Sequence, residues 1–219
     1  WHLEHLHDVG HFTELYPPYR EEDHDVLHLG HDKRNVIIGG RYPENPRISP
    51  THTVTDHALE WLAEYGHIRR PFLLRVSYLA PHTPVLAPEP FYSQCKDKTY
   101  AWDRPAQHTL DGLPDWEKNG VELFGGTGYY AAHTEEDFQH MRRSYYALVR
   151  HIDDEVGRLV RRLKETGEYE NTVILFTSDH GDLLQSHCLF AKGPAAYDDV
   201  TRIPFIIRHP EGKVGVYDK

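Results

Sequence analysis

Cysteine is nearly absent from this chain of 219 residues, which holds only Cys95 and Cys188. Neither lies in a Cys-x-x-Cys, and two are too few for a disulfide framework, so a small stapled scaffold is excluded. No apolar run approaches the roughly 20 residues needed to span a bilayer. A basic excess is lacking too. The formal net charge is −10, which argues against a nucleic-acid-binding surface. An anionic substrate stays open, because a local cationic pocket can override the overall sign. The first residues, Trp1-His2-Leu3-Glu4-His5, show no initiator Met, basic n-region or apolar h-region, so the sequence reads as opening inside a domain.

Hydrophobic residues make up 39% and charged residues 26%, a balance that supports a packed core rather than disorder. The length suits one α/β domain or a large piece of one. Residues 1–50 are rich in His, Pro and Tyr, and Asn35-Val36-Ile37-Ile38 reads there as a short strand. Apolar spacing predicts a helix from Thr53 to about Tyr65, with Thr53 and Asp56 as its cap and Gly66 as its stop. Phe72 to Leu79 reads as a buried parallel strand, broken by Pro81 and Pro84. Residues 85–133 read as an irregular insertion of loops. A long helix is predicted over 134–166, with Tyr145, Leu148, Ile152, Val156, Leu159 and Leu163 as its apolar stripe and Gly167 closing it. Arg150, Asp154, Arg158 and Arg161 fall mostly on the opposite side. A second buried strand is predicted at Thr172–Thr177 and a third strand at Ile203–Ile207. Helices alternating with apolar strands indicate an α/β sheet, mainly parallel, with ligands at strand carboxyl ends.

Two predicted strand ends carry chemistry. Asp179 and His180 could reach one metal, with Gly181 letting the backbone turn beneath them; a capping turn beside a surface histidine is the alternative. His82, held between Pro81 and Pro84, is either a fixed contact residue or a surface histidine. Lys192 could neutralise an anion or be an ordinary solvated lysine. The cluster His2, His5, His7, Asp8 and His11 fits no zinc spacing and reads as loop. Gly125-Gly126-Thr127-Gly128 lacks the ending of a phosphate loop.

Taken together, these segments resemble the sulfatase family of the alkaline phosphatase superfamily. Ser144–Val149 and Ile152–Leu159 look like the family's long helix, and Thr177-Ser178-Asp179-His180-Gly181-Asp182 like a metal-binding motif. His187, Lys192-Gly193 and Arg202–Ile207 follow in the family's order. Pro71–Pro84 is similar to its strand ending in Pro-His-x-Pro, and Trp1-His2-Leu3 to the tail of its Gly-Lys-Trp-His. The resemblance implies a three-layer α/β/α sandwich with a mainly parallel central sheet, alkaline-phosphatase-like. Residues 1–219 would be its central-to-late part and 85–133 an active-site loop insertion, with the N-terminal part outside this chain.

The resemblance also implies roles. Asp179 and His180 would bind a divalent cation, usually calcium, with manganese or magnesium as alternatives. His82 and Lys192 would hold the non-bridging oxygens of a sulfate, and His2 would assist proton transfer. The substrate would be a sulfated small molecule or carbohydrate, with no nucleic acid and no membrane span involved. The family's nucleophile is a formylglycine made in a C/S-x-P/A-x-R motif, and neither Cys95, Cys188 nor any serine here opens one. The nucleophile is therefore expected upstream, and the 219 residues alone are expected to be inactive and to bind metal poorly. A phosphonate or phosphodiester hydrolase of the same superfamily, and a non-catalytic fragment, are the competing readings.

Overall fold

In the computed structural model the described residues are 26–28, 37–42, 47, 49–65, 71–101, 114–115, 118–119, 133–192, 196–212 and 215–216. His2, the cluster at 5–11, Asn35, Val36 and Gly125–Gly128 lie outside them. By contacts the chain forms two compact units. The first comprises Trp1–Tyr100 and Gln139–Leu159, the second Ala101–Phe138 and Val160–Lys219.

In the first unit, β1 (Leu27–His28) pairs antiparallel with β2 (Ile37–Gly39). The chain beyond β2 runs beside 85–87 through one parallel bridge, Arg41 to Ala87. Three backbone bonds flank that bridge, Val85 N–H to Ile37 O, Ala87 N–H to Gly40 O and Tyr42 N–H to Ala87 O. Helix α1 is Pro50–Tyr65. It begins three residues before the predicted cap, because Ser49-Pro50 is itself the start signal. Ser49 Oγ accepts the His52 N–H at 3.2 Å, and proline needs no donor in the first turn.

Phe72 to Leu79 corrects the expectation of a buried strand. It pairs with no strand among the described residues, and Leu73 is 88% exposed. Its backbone alternates inward and outward, and the inward side rests on α1: Tyr78 Oη lies 2.9 Å from Thr55 Oγ1, and Phe72 meets Trp61 edge-on. Apolar composition marked the run, but only a hydrogen-bonded neighbour makes it a strand. Residues 85–95, read as the start of loops, contribute core instead. Val85, Ala87, Tyr92 and Cys95 bury against Ala147 and Leu148, with α2 at Phe91–Cys95. Cys95 is a free, buried thiol.

Helix α3 spans Glu135–Glu165, close to prediction. Thr134 and Asp137 form a reciprocal capping box, three acidic residues fill the first turn, and Gly167 takes φ +76° just past the end. Leu148, Ile152 and Leu163 of the apolar stripe are buried. Ser144 is buried as well and receives the Gly40 N–H at 3.0 Å.

In the second unit, β3 (Ile174–Thr177) and β4 (Phe205–Arg208) pair antiparallel in the register Ile174 to Arg208 through Thr177 to Phe205. The predicted strands form, but this pair departs from the parallel expectation, since β4 returns against β3 after the intervening loop and α4 (Asp198–Thr201). Arg208 anchors the ribbon. It donates to the carbonyls of Tyr169 and Thr172 and to Glu170, and stacks on the Tyr169 ring. Both faces of the ribbon remain apolar and open, with Phe205 67% and Ile206 62% exposed. Among the described residues no helix is long and apolar enough to cross a membrane.

Candidate functional site

The second unit gathers three of the five predicted site residues. Strand β3 ends at Thr177, whose hydroxyl donates to the Pro204 carbonyl at 2.9 Å and so ties the strand end to the approach of β4. Asp179 and His180 follow at once. The Ser178 hydroxyl donates to the His180 carbonyl at 2.6 Å, and the His180 N–H donates to Asp179 Oδ1 at 3.0 Å. The His180 ring places Nδ1 2.8 Å from the Gly181 carbonyl, which accepts its N–H and leaves Nε2 as the ring nitrogen that would face a metal. Nε2 stands 3.9 Å from Asp179 Oδ2.

Two donors 3.9 Å apart can share one divalent cation when each bond is roughly 2.0–2.5 Å long. The orienting carbonyl and the 90% exposed carboxylate fit that use. Partial desolvation pushes the Asp179 carboxyl up. His180, two backbone N–H groups and Lys192 outweigh it and hold the carboxyl below its ordinary range. Lys192, exposed at the far end of the following loop, is thus near enough to act on Asp179 by charge.

Gly181 is required for a different reason from the one the sequence suggested. Its φ is not positive. A Cβ there would stand 2.0 Å from the Asp199 carbonyl oxygen, and the Gly181 N–H bonds the Val200 carbonyl at 2.8 Å. Gly181→Ala must push α4 away from the strand end. A loss of about 1–3 kcal/mol is expected, read as a lowered midpoint in chemical denaturation; an unchanged midpoint would refute the close approach.

His82 belongs to the first unit. It sits on an exposed turn, with its N–H bonded to the Leu79 carbonyl at 3.1 Å and Nδ1 2.8 Å from the Thr83 carbonyl. The residues that follow, Val85–Ala87, are fixed against the 37–42 segment and α3, which gives the turn a firm base. His2 lies outside the described residues.

Sequence reasoning missed a second cluster, in the first unit. His52, His151 and Glu155 bring three ligand-type atoms within 4.8 Å of one another. Glu155 is 2% exposed. It accepts from His52 Nδ1 at 2.6 Å and from Arg158 Nη1 at 2.7 Å, and His151 Nε2 lies 3.5 Å away. Arg158 also donates to Asp56 at 2.5 Å, and His52 Nε2 is 3.4 Å from the same carboxylate. A guanidinium therefore already stands where a metal would carry its charge, and we read the cluster as a buried ion network joining α1 to α3. Burial pushes the Glu155 carboxyl up, but His151, Arg158, His52 and Thr55 prevail and hold it at about 2. The signal was present in sequence: His151, Glu155 and Arg158 fall at i, i+4 and i+7, a polar stripe bordering the apolar one.

Chemically, Asp179, His180 and Lys192 can gather a cation and an anion at the carboxyl end of one strand of an α/β protein. The sequence profile of the sulfatase family matches residues 20–219, and the chain belongs to that family, within the alkaline phosphatase superfamily. It is 31% identical to an arylsulfatase of Clostridium perfringens over 201 residues, 89% of this chain and 40% of the relative. It is 33% identical to the sulfatase YidJ of Escherichia coli over 166 residues, 74% of this chain and 31% of the relative. The chain thus spans well under half the length of either. Among solved structures it resembles a phosphonate monoester hydrolase from Silicibacter pomeroyi, with TM-score 0.66 and 26% identity over 85% of this chain and 38% of that one.

Proposed function

We propose that the protein is a metal-dependent sulfuric ester hydrolase, cleaving the sulfate ester or sulfamate of a small molecule or carbohydrate. The observation that carries the reading is the Asp179–His180 pair at the end of β3, 3.9 Å between donor atoms. In this proposal Asp179 and His180 hold a divalent cation, calcium by the family resemblance, with manganese or magnesium as alternatives. When bound, such a cation polarises a sulfuryl oxygen and offsets the charge that grows there. Lys192 and His82 hold the other oxygens and lower the barrier as charge shifts toward the leaving group. His2 assists proton transfer. The nucleophile is a formylglycine outside these 219 residues, where the remaining metal ligands also belong, because two ligands do not fill a calcium shell of about six to eight oxygens. The 219 residues by themselves are accordingly inactive.

We place residues 1–219 in a single catalytic domain, a three-layer α/β/α sandwich with a mainly parallel central sheet, and the part of 85–133 that follows the 85–95 core segment among its active-site loops. The bare apolar faces of β3 and β4 support this, since strands rich in Ile, Leu and Phe on both faces are those of a sheet covered from both sides. A phosphonate ester is the second reading, favoured by the likeness to the Silicibacter phosphonate monoester hydrolase. Turnover of 4-nitrophenyl sulfate and of an aryl phosphonate monoester by the full-length protein separates them. The sulfate ester is expected to give the higher kcat/KM; a strong preference for the phosphonate selects the second reading, and no turnover of either rejects both.

A further inference from the structure

We propose that His187 is a positioning residue that clamps the 181–192 loop onto Tyr197 and thereby holds Lys192 beside Asp179 and His180. The inference rests on the reading of Lys192 as the group that faces the substrate anion.

Four residues of this loop that are not glycine adopt positive φ: Leu184 at 42°, Gln185 at 74°, His187 at 57° and Ala191 at 56°. Side chains disfavour this region, so such a run persists only where surrounding contacts dictate it. Part of the restraint is internal. The Leu183 N–H bonds the Ala191 carbonyl at 2.7 Å, the Gln185 N–H bonds the Leu189 carbonyl at 3.0 Å, and Asp182 Oδ1 accepts the Leu184 N–H at 2.9 Å. The first of these bonds returns the residue before Lys192 to within a few residues of the strand end.

The rest of the restraint comes from α4 and the residue before it. Leu183 and Leu189 are buried, with Tyr197 and Val200 packed against them. At the tip of the loop the His187 ring lies flat on Tyr197, centroids 4.0 Å apart and planes 14° from parallel. His187 Nε2 is 3.7 Å from Asp199 Oδ2, and the backbone carbonyl of that same Asp199 abuts Gly181. One short element therefore grips the loop at its beginning and at its turn. Both partners of the His187–Asp199 pair are about two-fifths exposed, so the ion pair contributes little. The stacked ring is the stronger hold. Without it the strained backbone can relax, and Lys192 spreads over positions that no longer face Asp179.

The test uses the full-length protein and two readouts. His187→Gly keeps the backbone conformation accessible and removes the ring; Tyr197→Ala removes the other half of the stack, and Tyr197→Phe preserves it. With 4-nitrophenyl sulfate, His187→Gly and Tyr197→Ala are expected to lower kcat about tenfold with less effect on KM, while Tyr197→Phe stays near wild type. In a Lys192→Ala background, His187→Gly should cost less than about twofold, because its effect runs through the lysine. Tryptic cleavage after Lys192 in the native protein should quicken several-fold in His187→Gly and Tyr197→Ala and not in Tyr197→Phe. Fully additive losses in the cycle, or cleavage unchanged by removal of either ring, overturn the proposal. If the wild-type protein hydrolyses neither ester, the functional reading falls, and the cleavage assay still decides the clamp.

Discussion

Replacing Glu155 by Gln is expected to destabilise the protein by about 3–5 kcal/mol at neutral pH, the cost of breaking a buried ion pair from one side. The substitution removes the charge but not the shape. Arg158 and His52 then face a neutral amide inside a site that is 2% exposed at its centre. Asp56, which is more open, remains as the partner of both. For a chain of this size each kcal/mol moves Tm by roughly 2–4 °C, so the loss is readily measured. The pH dependence has a definite sign. The Glu155 carboxyl is lowered to about 2 in the folded protein, and it titrates near the ordinary glutamate value when unfolded. Its stabilising contribution, on the order of 3 kcal/mol, is therefore complete above about pH 5 and lost as pH falls toward 2. Acid unfolding of the wild type should show this loss and Glu155→Gln should not. Equal acid sensitivity of the two proteins would remove the network from the account.

Lys192→Ala in the full-length protein is expected to reduce kcat about 10²–10³-fold, as for loss of a group that stabilises developing negative charge. Lys192 is exposed, so stability should change by less than about 0.5 kcal/mol. That contrast separates it from Glu155, whose loss weakens the fold wherever the chemistry occurs. Near-normal turnover of sulfate esters by Lys192→Ala would count against its assigned role.

How far the sequence was readable depended on the range of the interaction. Helix α3 was legible almost to the residue, because Thr134, Asp137 and Gly167 act within a few positions of one another. The start of α1 was not legible from apolar spacing, because Ser49-Pro50 precedes the periodic stretch. Asp179 and His180 were legible as a pair at a strand end, since β3 and the turn are contiguous. The demand for Gly181 was foreseen for the wrong cause, as the Asp199 carbonyl that excludes a side chain comes from a separate element. The exposure of Phe72–Leu79 was not legible, because burial is set by what lies alongside rather than by composition. The Glu155 network was hidden for the same reason, with His52 and Glu155 103 positions apart.

In the proposed mechanism Asp179, His180, Lys192 and His82 serve one cation and one anion. The most direct measurement is a crystal structure of the full-length protein grown with calcium and inorganic sulfate, with the metal located by its anomalous signal. The expected result is a calcium ion bonded to Asp179 and His180, and a sulfate within hydrogen-bond distance of both His82 Nε2 and Lys192 Nζ. A metal bound elsewhere, with His82 and Lys192 touching no common anion, would contradict it.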